Sequence, residues 1–422
     1  MENKTHLLTV LLLTLLMVNY GQSSNKNSAE TVLSKQHNKK LIVAPLKDKL
    51  SLLDLDKLQD VKSKLKEPEF SKVYNNILES ANKALREGPF SVVNKTQTPV
   101  SGDKHDYLSL GPYWWPDPEK EDGLPWVRRD GEVNPLTRGD NVDEPRKNSM
   151  FGNVNKLSLA YFFSDDEKYA IKLIELLEVW FLNPETKMNP NLNFAQGIPG
   201  KNTGRGIGII EFGGISNVIN AIEILELNNT LEDSTSKALR NWMTHYLDWL
   251  QTSEFGIFEK NTKNNHATHY DVQVAGLLLF LNRNEEAKKL LESVKTQRIQ
   301  TQIEPDGKQP HELARTKSLS YSTMNLGGFV QLAYLGKKVN VDLWNFKAEN
   351  GASIQKAFEY LKPYLKGEKK WEHQQLGNID DSFKKLRQLF VKAGSVFGVD
   401  EYCAPFKSKS VNSYTDMLYA CK

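Results

Sequence analysis

Cysteine is nearly missing: the 422 residues hold two, Cys403 and Cys421, both close to the C-terminus. So small a supply excludes a disulfide-stapled scaffold and leaves one loop for an oxidising compartment to close. Two cysteines without nearby paired ligands also argue against a structural zinc site. Charge of one sign is scarce too. A formal net charge of +3 with 25% charged residues is too little to argue for nucleic acid, although a local basic cleft for an acidic ligand fits it. Alternating strand patterns are almost absent. There is no Gly-x-Ser-x-Gly elbow of a serine hydrolase, and the glycine-rich stretch from Asn193 to Gly208 lacks both the Gly-Lys-Ser/Thr ending and the preceding strand of a phosphate loop.

Long hydrophobic runs are also wanting. The run from Leu7 to Val18 is too short to span a bilayer comfortably, and no other stretch reads as long and apolar enough. Preceded by Met1 to His6 and followed by Asn19 to Ser24, it predicts a secretory signal over residues 1–24, with no membrane insertion once it is removed. The polar residues 25–40 then read as a disordered linker.

What is present is helical. Leu50 to Leu65 and Val73 to Leu85 carry apolar residues at helical spacing, and Gly88-Pro89 stops the second. Amphipathic stripes follow at Ala170, Leu173, Ile174, Leu177, Trp180 and Phe181, at Ile215, Val218, Ile219, Ile222 and Leu225, and at Leu239, Trp242, Met243, Tyr246, Leu247 and Leu250. Further helical runs lie at Ala287 to Val294, Leu326 to Leu335, Ile354 to Leu365, Phe383 to Val391 and Tyr414 to Leu418. The recurring pairs predict an all-α fold of stacked hairpins, closing into a toroid or curving as a solenoid.

Two stretches break this rhythm. Residues 90 to about 150 are rich in aromatic, Pro and Gly residues, among them Tyr113, Trp114, Trp115 and Trp126; residues 183–214 place Gln196 and Arg205 among glycines that let backbone approach a ligand. The rings either pin their loop as a small core or stack on sugar faces.

The chemistry centres on Lys263 to Asp271. Asn264 is a good N-cap, and a helix starting at Asn265 puts Asn265, His269, Val272 and Gly276 on one stripe, with the anion-attracting helix N-terminus beside them. His266 and His269 have neither the following Glu of a protease motif nor a local third ligand, so no metal is expected at the pair. Arg315, Lys317 and Tyr321 precede a later helix. Taken singly, Arg315 is an ordinary ion-pairing residue and Tyr321 a core phenol. Together with Asn265 and His266 they suit removal of a proton from the carbon beside a carboxylate: amide, imidazole and guanidinium stabilise the charge, and a deprotonated Tyr takes the proton and returns it to a leaving oxygen. A glycoside hydrolase remains a competing reading, with Glu211, Glu304, Asp306 and Glu312 as candidate carboxylates, as does a carbohydrate-binding protein without chemistry.

Asn265-His266, Arg315 and Tyr321, with Ser109-Leu110-Gly111-Pro112-Tyr113-Trp114-Trp115-Pro116-Asp117-Pro118 upstream, resemble the alginate lyase superfamily of helical-toroid polysaccharide lyases. The resemblance runs from about Asp103 to about Leu335. The six-residue step from Arg315 to Tyr321 is closer to polysaccharide lyase family 38 than to family 5, whose usual gap is one residue longer. It implies a single (α/α) toroid catalytic domain over residues 41–422, secretion to the periplasm and no obligatory cofactor. The implied partner is an acidic polysaccharide, alginate with mannuronate or else glucuronan or another uronan, cut by β-elimination to leave 4,5-unsaturated ends. Asn265 and Arg315 would neutralise the uronate carboxylate, Tyr321 would be base and acid, and His266 would assist or serve as base for the opposite stereochemistry. Tyr113, Trp114, Trp115, Gln196, Arg205, His269, Tyr270 and Lys317 are the candidate substrate contacts.

Overall fold

The computed structural model describes residues 50–406, 411 and 413–419. The expected signal (1–24), the linker (25–40) and the Cys421 half of a possible disulfide lie outside the described residues.

The helices are α1 (Leu55–Ser63), α2 (Pro68–Ala84), α3 (Glu144–Ser164), α4 (Glu167–Phe181), α5 (Ile215–Leu227), α6 (Asp233–Thr252), α7 (Glu254–Lys260), α8 (Asn265–Phe280) and α9 (Asn284–Val294). They continue with α10 (Gln300–Gln302), α11 (Pro310–Leu313), α12 (Ser318–Lys338), α13 (Ile354–Leu365), α14 (Ile379–Phe397), α15 (Val399–Tyr402) and α16 (Tyr414–Leu418). They fall into two classes that the sequence explains. Helices α3, α5, α8 and α12 are buried nearly all round, as their apolar or small residues on every side require, and each packs on the next in that order. Helices α6, α9, α13 and α14 bury one stripe and expose the other face; α6 buries the expected Leu239, Trp242, Met243, Tyr246, Leu247 and Leu250. This inner row and outer row make the (α/α) toroid. Wholly buried rings such as Phe212 and Phe329 fill the space between rows, each contributing roughly 1.5–3 kcal/mol of transfer free energy.

Residues 206–227 do meet the length and apolarity of a membrane span, contrary to expectation. They form a 3₁₀ turn and α5, with Ile215, Val218, Ile219 and Ile222 packed in the central core.

Four short strands shape the loops over one end of the toroid. β1 (Leu108–Leu110) pairs in parallel with β4 (Phe194–Gly197), and β2 (Trp114–Trp115) pairs antiparallel with β3 (Val127–Arg128). The base of this layer is pinned by a buried ion pair, Lys95 Nζ to Asp143 Oδ2 at 3.0 Å, and Asp143 also accepts from the Leu108 N–H at 2.9 Å. Burial pushes the Asp143 carboxyl up to about 6 despite the neighbouring Lys95 ammonium. Leu110, Trp126, Val142 and Ile198 form a small second core, against which Trp114 packs. The aromatic loop is divided: Trp126 packs inside, while Tyr113 and Trp114 reach the cleft described next.

Candidate active site

A cleft of about 610 Å³ opens at the N-terminal ends of α8 and α12. Asn265 and His266 reach it because α8 begins where expected: Asn264 caps the helix, its side chain accepting from the His266 N–H at 3.3 Å. Asn265 is held by a carboxylate behind it. Glu312 on α11 accepts from the Asn265 backbone N–H at 2.7 Å and from its side-chain Nδ2 at 2.6 Å, while Asn265 Oδ1 is buried with no partner among the described residues. Burial raises the Glu312 carboxyl, and the Asn265 donors oppose that rise. His266 is arranged in the same manner, its Nδ1 lying 2.7 Å from Oε1 of the fully buried Glu259 on α7. A proton on Nδ1 then points Nε2, as a lone-pair acceptor, away from Glu259.

Arg315 and Tyr321 meet at the start of α12. Arg315 Nη2 donates to Tyr321 Oη at 3.0 Å, and the guanidinium lies 4.1 Å from the centre of the Tyr321 ring. Asp130, from the turn after β3, grips Arg315 through Nε (3.2 Å) and Nη2 (2.8 Å), and also accepts from Arg128 and Thr316. Arg315 Nη1 has no partner among the described residues. Burial would raise the Asp130 carboxyl, but the bonds from Arg315, Arg128 and Thr316 outweigh it and hold the group well below the usual carboxylate range. The turn depends on Gly131 at φ +80, where an added Cβ would come within 2.5 Å of Thr316 Oγ1.

Tyr321 Oη also lies 2.8 Å from Tyr113 Oη, so two phenols and one guanidinium share a point. Burial, then the adjacent Tyr113, pushes the Tyr321 phenol well above its ordinary value, with Arg315 pulling the other way. This direction runs against a phenolate already formed beside Arg315. Arg315 and Tyr113 both lie within hydrogen-bond distance of the Tyr321 oxygen.

On the opposite wall, Gln196 adopts φ +50, an uncommon conformation for a residue with a side chain. Ser109 Oγ accepts from its N–H at 2.8 Å, and Arg205 donates to both its backbone and side-chain oxygens at 2.8 Å. Burial lowers Arg205 to about 10, with the buried Glu211 opposing. Among the described residues the cleft wall carries Arg128, Arg205, Lys263 and Arg315, together with His266 and His311, and no Asp or Glu.

The alginate lyase family matches residues 91–371 of this sequence. The chain belongs to the alginate lyase family. Among solved structures, an alginate lyase from Bacteroides ovatus shares 37% identity at a TM-score of 0.85, over 88% of this chain and 99% of that one. Alginate lyase A1-III from Sphingomonas species A1 shares 15% identity at a TM-score of 0.52, over 86% of this chain and 94% of that one. A histidine-to-alanine variant of A1-III, complexed with tetrasaccharide, gives 15% identity and 0.57, over 89% and 98%. At such identity the A1-III structures speak to the fold alone. No curated protein matches the sequence.

In this polysaccharide lyase the four expected catalytic residues, Asn265, His266, Arg315 and Tyr321, line one cleft with Tyr113, Trp114, Gln196 and Arg205. Four other expected contacts do not line it. Trp115 alternates with Trp114 along β2 and faces away, its Nε1 donating to Glu132 O at 3.1 Å and its ring lying 5.1 Å from the Arg129 guanidinium. Tyr270 lies one turn deeper than His266, in the core, donating to Leu250 O at 2.9 Å. His269 lies one turn below Asn265, its Nε2 3.2 Å from Met324 O, and burial lowers its imidazole to about 4. Lys317 bridges to Gln375 and keeps its ammonium 6.0 Å from the centre of the Tyr113 ring.

Arg128, Lys263 and His311 in the lyase cleft, and the supporting Asp130 and Glu259, were not picked out by the sequence. Lys263 opens the stretch on which the chemistry centres, and His311 lies four residues before Arg315, so both could have been found as charged neighbours of Asn265 and Arg315. Nothing local marked Asp130 or Glu259. The four carboxylates considered for a hydrolase are absent from the cleft wall; Glu211 instead accepts from Tyr107 and Ser109, and Glu312 grips Asn265.

Proposed function

We propose that this lyase cleaves alginate, at mannuronate-containing stretches, by β-elimination. The observation that carries the reading is a cleft wall rich in cations and without a carboxylate, in which the Tyr321 hydroxyl sits between Arg315 and Tyr113. Such a wall attracts a polymer with a carboxylate on every sugar. It offers no pair of acids for hydrolysis.

Asn265, through the second hydrogen of its Nδ2, and Arg315, through Nη1, neutralise the carboxylate of the uronate being cut. That makes the neighbouring C5 proton more acidic. Tyr321 gives its resting proton to solvent, Arg315 and Tyr113 stabilise the phenolate that results, and the phenolate abstracts the C5 proton. The C5–H electron pair forms the C4–C5 double bond, the C4–O4 bond breaks, and Tyr321 returns the proton to the departing oxygen. His266, aimed by Glu259, assists, and is the base when the C5 proton lies on the other face of the ring. No redox or group-carrying cofactor is required by this sequence, so activity should survive exhaustive chelation.

Export to the periplasm or beyond rests on the run from Leu7 to Val18. Mass measurement of mature protein from its host should show loss of about two dozen residues; an intact Met1 would contradict export. The reaction itself is tested by ultraviolet absorbance over a panel of mannuronan, guluronan, glucuronan and neutral glycans. The conjugated product should accumulate, fastest on mannuronan. New reducing ends without that chromophore would replace the lyase reading with hydrolysis, and a glucuronan preference would move the substrate to the alternative uronan.

A further inference from the structure

A second cavity, of about 320 Å³, lies at the other end of the inner helices, between Val272 and Gly276 of α8 and Gln331 and Leu335 of α12. From Asn265 to Gly276 the helix rises roughly 16 Å at 1.5 Å per residue, so this cavity is separate from the cleft. The wall between them is tight: an added Cβ at Gly328 would come within 2.8 Å of Thr268 Cγ2.

Four lysines line the cavity, Lys57, Lys337, Lys338 and Lys392, against one carboxylate, Asp54. Asp54 is engaged in capping α1, accepting from the Lys57 N–H at 3.2 Å. Lys338 is engaged as well, donating to Leu50 O at 2.9 Å and Leu53 O at 2.6 Å. The other three ammonium groups have no salt-bridge partner among the described residues. Lys57 and Lys392 lie 4.6 and 5.8 Å from the centre of the Tyr419 ring, and Lys337 lies 5.8 Å from that of Tyr334. Burial lowers the basicity of Lys392 with no carboxylate to offset it. Across the cavity, Asn220 on α5 has a buried Oδ1 without a hydrogen-bond partner.

Asn220 Oδ1, buried and unpartnered among the described residues, costs free energy unless something satisfies it, and the partly buried Lys57 and Lys392, with the exposed Lys337, hold positive charge with no ion-pair partner among those residues. What satisfies all of them is a small molecule with an anionic end for the lysines, a hydroxyl to donate to Asn220 Oδ1, and a flat face for the tyrosine rings. We propose that this cavity is a second binding site for a small sugar acid, distinct from the cleft and independent of the reaction assigned there.

The test is calorimetric titration of the mature full-length protein with D-glucuronate, D-glucose and sulfate. Wild type and Arg315→Ala should bind D-glucuronate alike, since Arg315 belongs to the cleft. Lys392→Met should weaken that binding at least about tenfold, the scale of one lost charge-assisted hydrogen bond, while keeping wild-type turnover on polymer. D-glucose should not bind. If Lys392→Met fails to fold, the exposed Lys337→Ala carries the same test with a loss of about threefold, the scale of a peripheral charge. The proposal is overturned if D-glucuronate does not bind wild type, if Arg315→Ala abolishes its binding, or if the lysine variant that folds binds as wild type. Sulfate binding as tightly as D-glucuronate would reduce the cavity to a plain anion site and also overturn it.

Discussion

Helices α8 and α12 run from one polar site to another, and the two ends are built on opposite plans. At the cleft end three of the four expected catalytic side chains are backed by a carboxylate: Glu312 behind Asn265, Glu259 behind His266 and Asp130 behind Arg315. At the far end Lys57, Lys337 and Lys392 have no such backing among the described residues. A backed group is aimed before substrate arrives, and little freedom remains to be lost in the transition state. An unbacked cation keeps its full charge for a ligand but is not oriented for chemistry. Under the two proposals above, the difference separates a site prepared to react from one prepared only to bind.

The largest way to break this contrast is to remove an aimed group. Arg315→Ala takes away the cation beside Tyr321 and leaves Asp130 with a partner missing, so kcat/KM should fall by about 10²–10³-fold, the usual loss for one preorganised donor. Steady-state kinetics should show kcat and KM both affected, and a change confined to KM would make Arg315 a binding residue only.

A smaller effect is expected from Glu259→Gln, which keeps a hydrogen-bond acceptor for His266 but removes the charge that favours its Nδ1 proton. We expect about a tenfold loss of kcat with KM unmoved, the worth of one charge-assisted bond. Unfolding curves should superpose on wild type; parallel losses of stability and activity would make Glu259 merely structural.

Asp130→Asn sharpens the comparison through pH. The Asp130 charge is one of the influences that raise the Tyr321 phenol, so neutralising it lowers that value. A base acts when deprotonated, and activity therefore rises with pH through its titration. The rising limb of the kcat/KM profile should move toward lower pH in Asp130→Asn. Movement toward higher pH would mean that a loosened Arg315 matters more than the lost charge.

The mildest effect is screening. Raising salt from low ionic strength to about 0.1 M, where charges are screened over roughly 10 Å, should increase KM for polymer severalfold, because Arg128 and Lys263 on the cleft wall are only partly covered. An unmoved KM would shift polymer binding to stacking and hydrogen bonds.

How much of this was legible in the sequence depended on distance along the chain. The Asn264 cap and the α8 start are local, and the stripe of α6 and the bounds of α13 were read correctly from periodicity alone. The four candidate catalytic residues were recognisable as a set through a family resemblance, not through any local rule. Asp130 acts on a residue 185 positions later, and no spacing rule reaches that far. His269 and Tyr270 fall outside the cleft lining for one reason. Helical periodicity says which residues share a face, but whether that face meets cleft or core depends on neighbours from α6 and α12. The outward turn of Trp115 was hidden for the complementary reason, since a two-residue strand is too short for alternation to be seen.

The central claim is that the Tyr321 hydroxyl carries the proton in both directions. The most direct measurement is the rate of ultraviolet chromophore formation by Tyr321→Phe on mannuronan, with folding checked by circular dichroism. The ring is partly buried against Arg315 and loses only its oxygen. A fall of at least about 10²-fold in kcat with little change in KM is the predicted result. A folded Tyr321→Phe lyase that keeps most of its turnover would contradict the claim and move the role of base to His266.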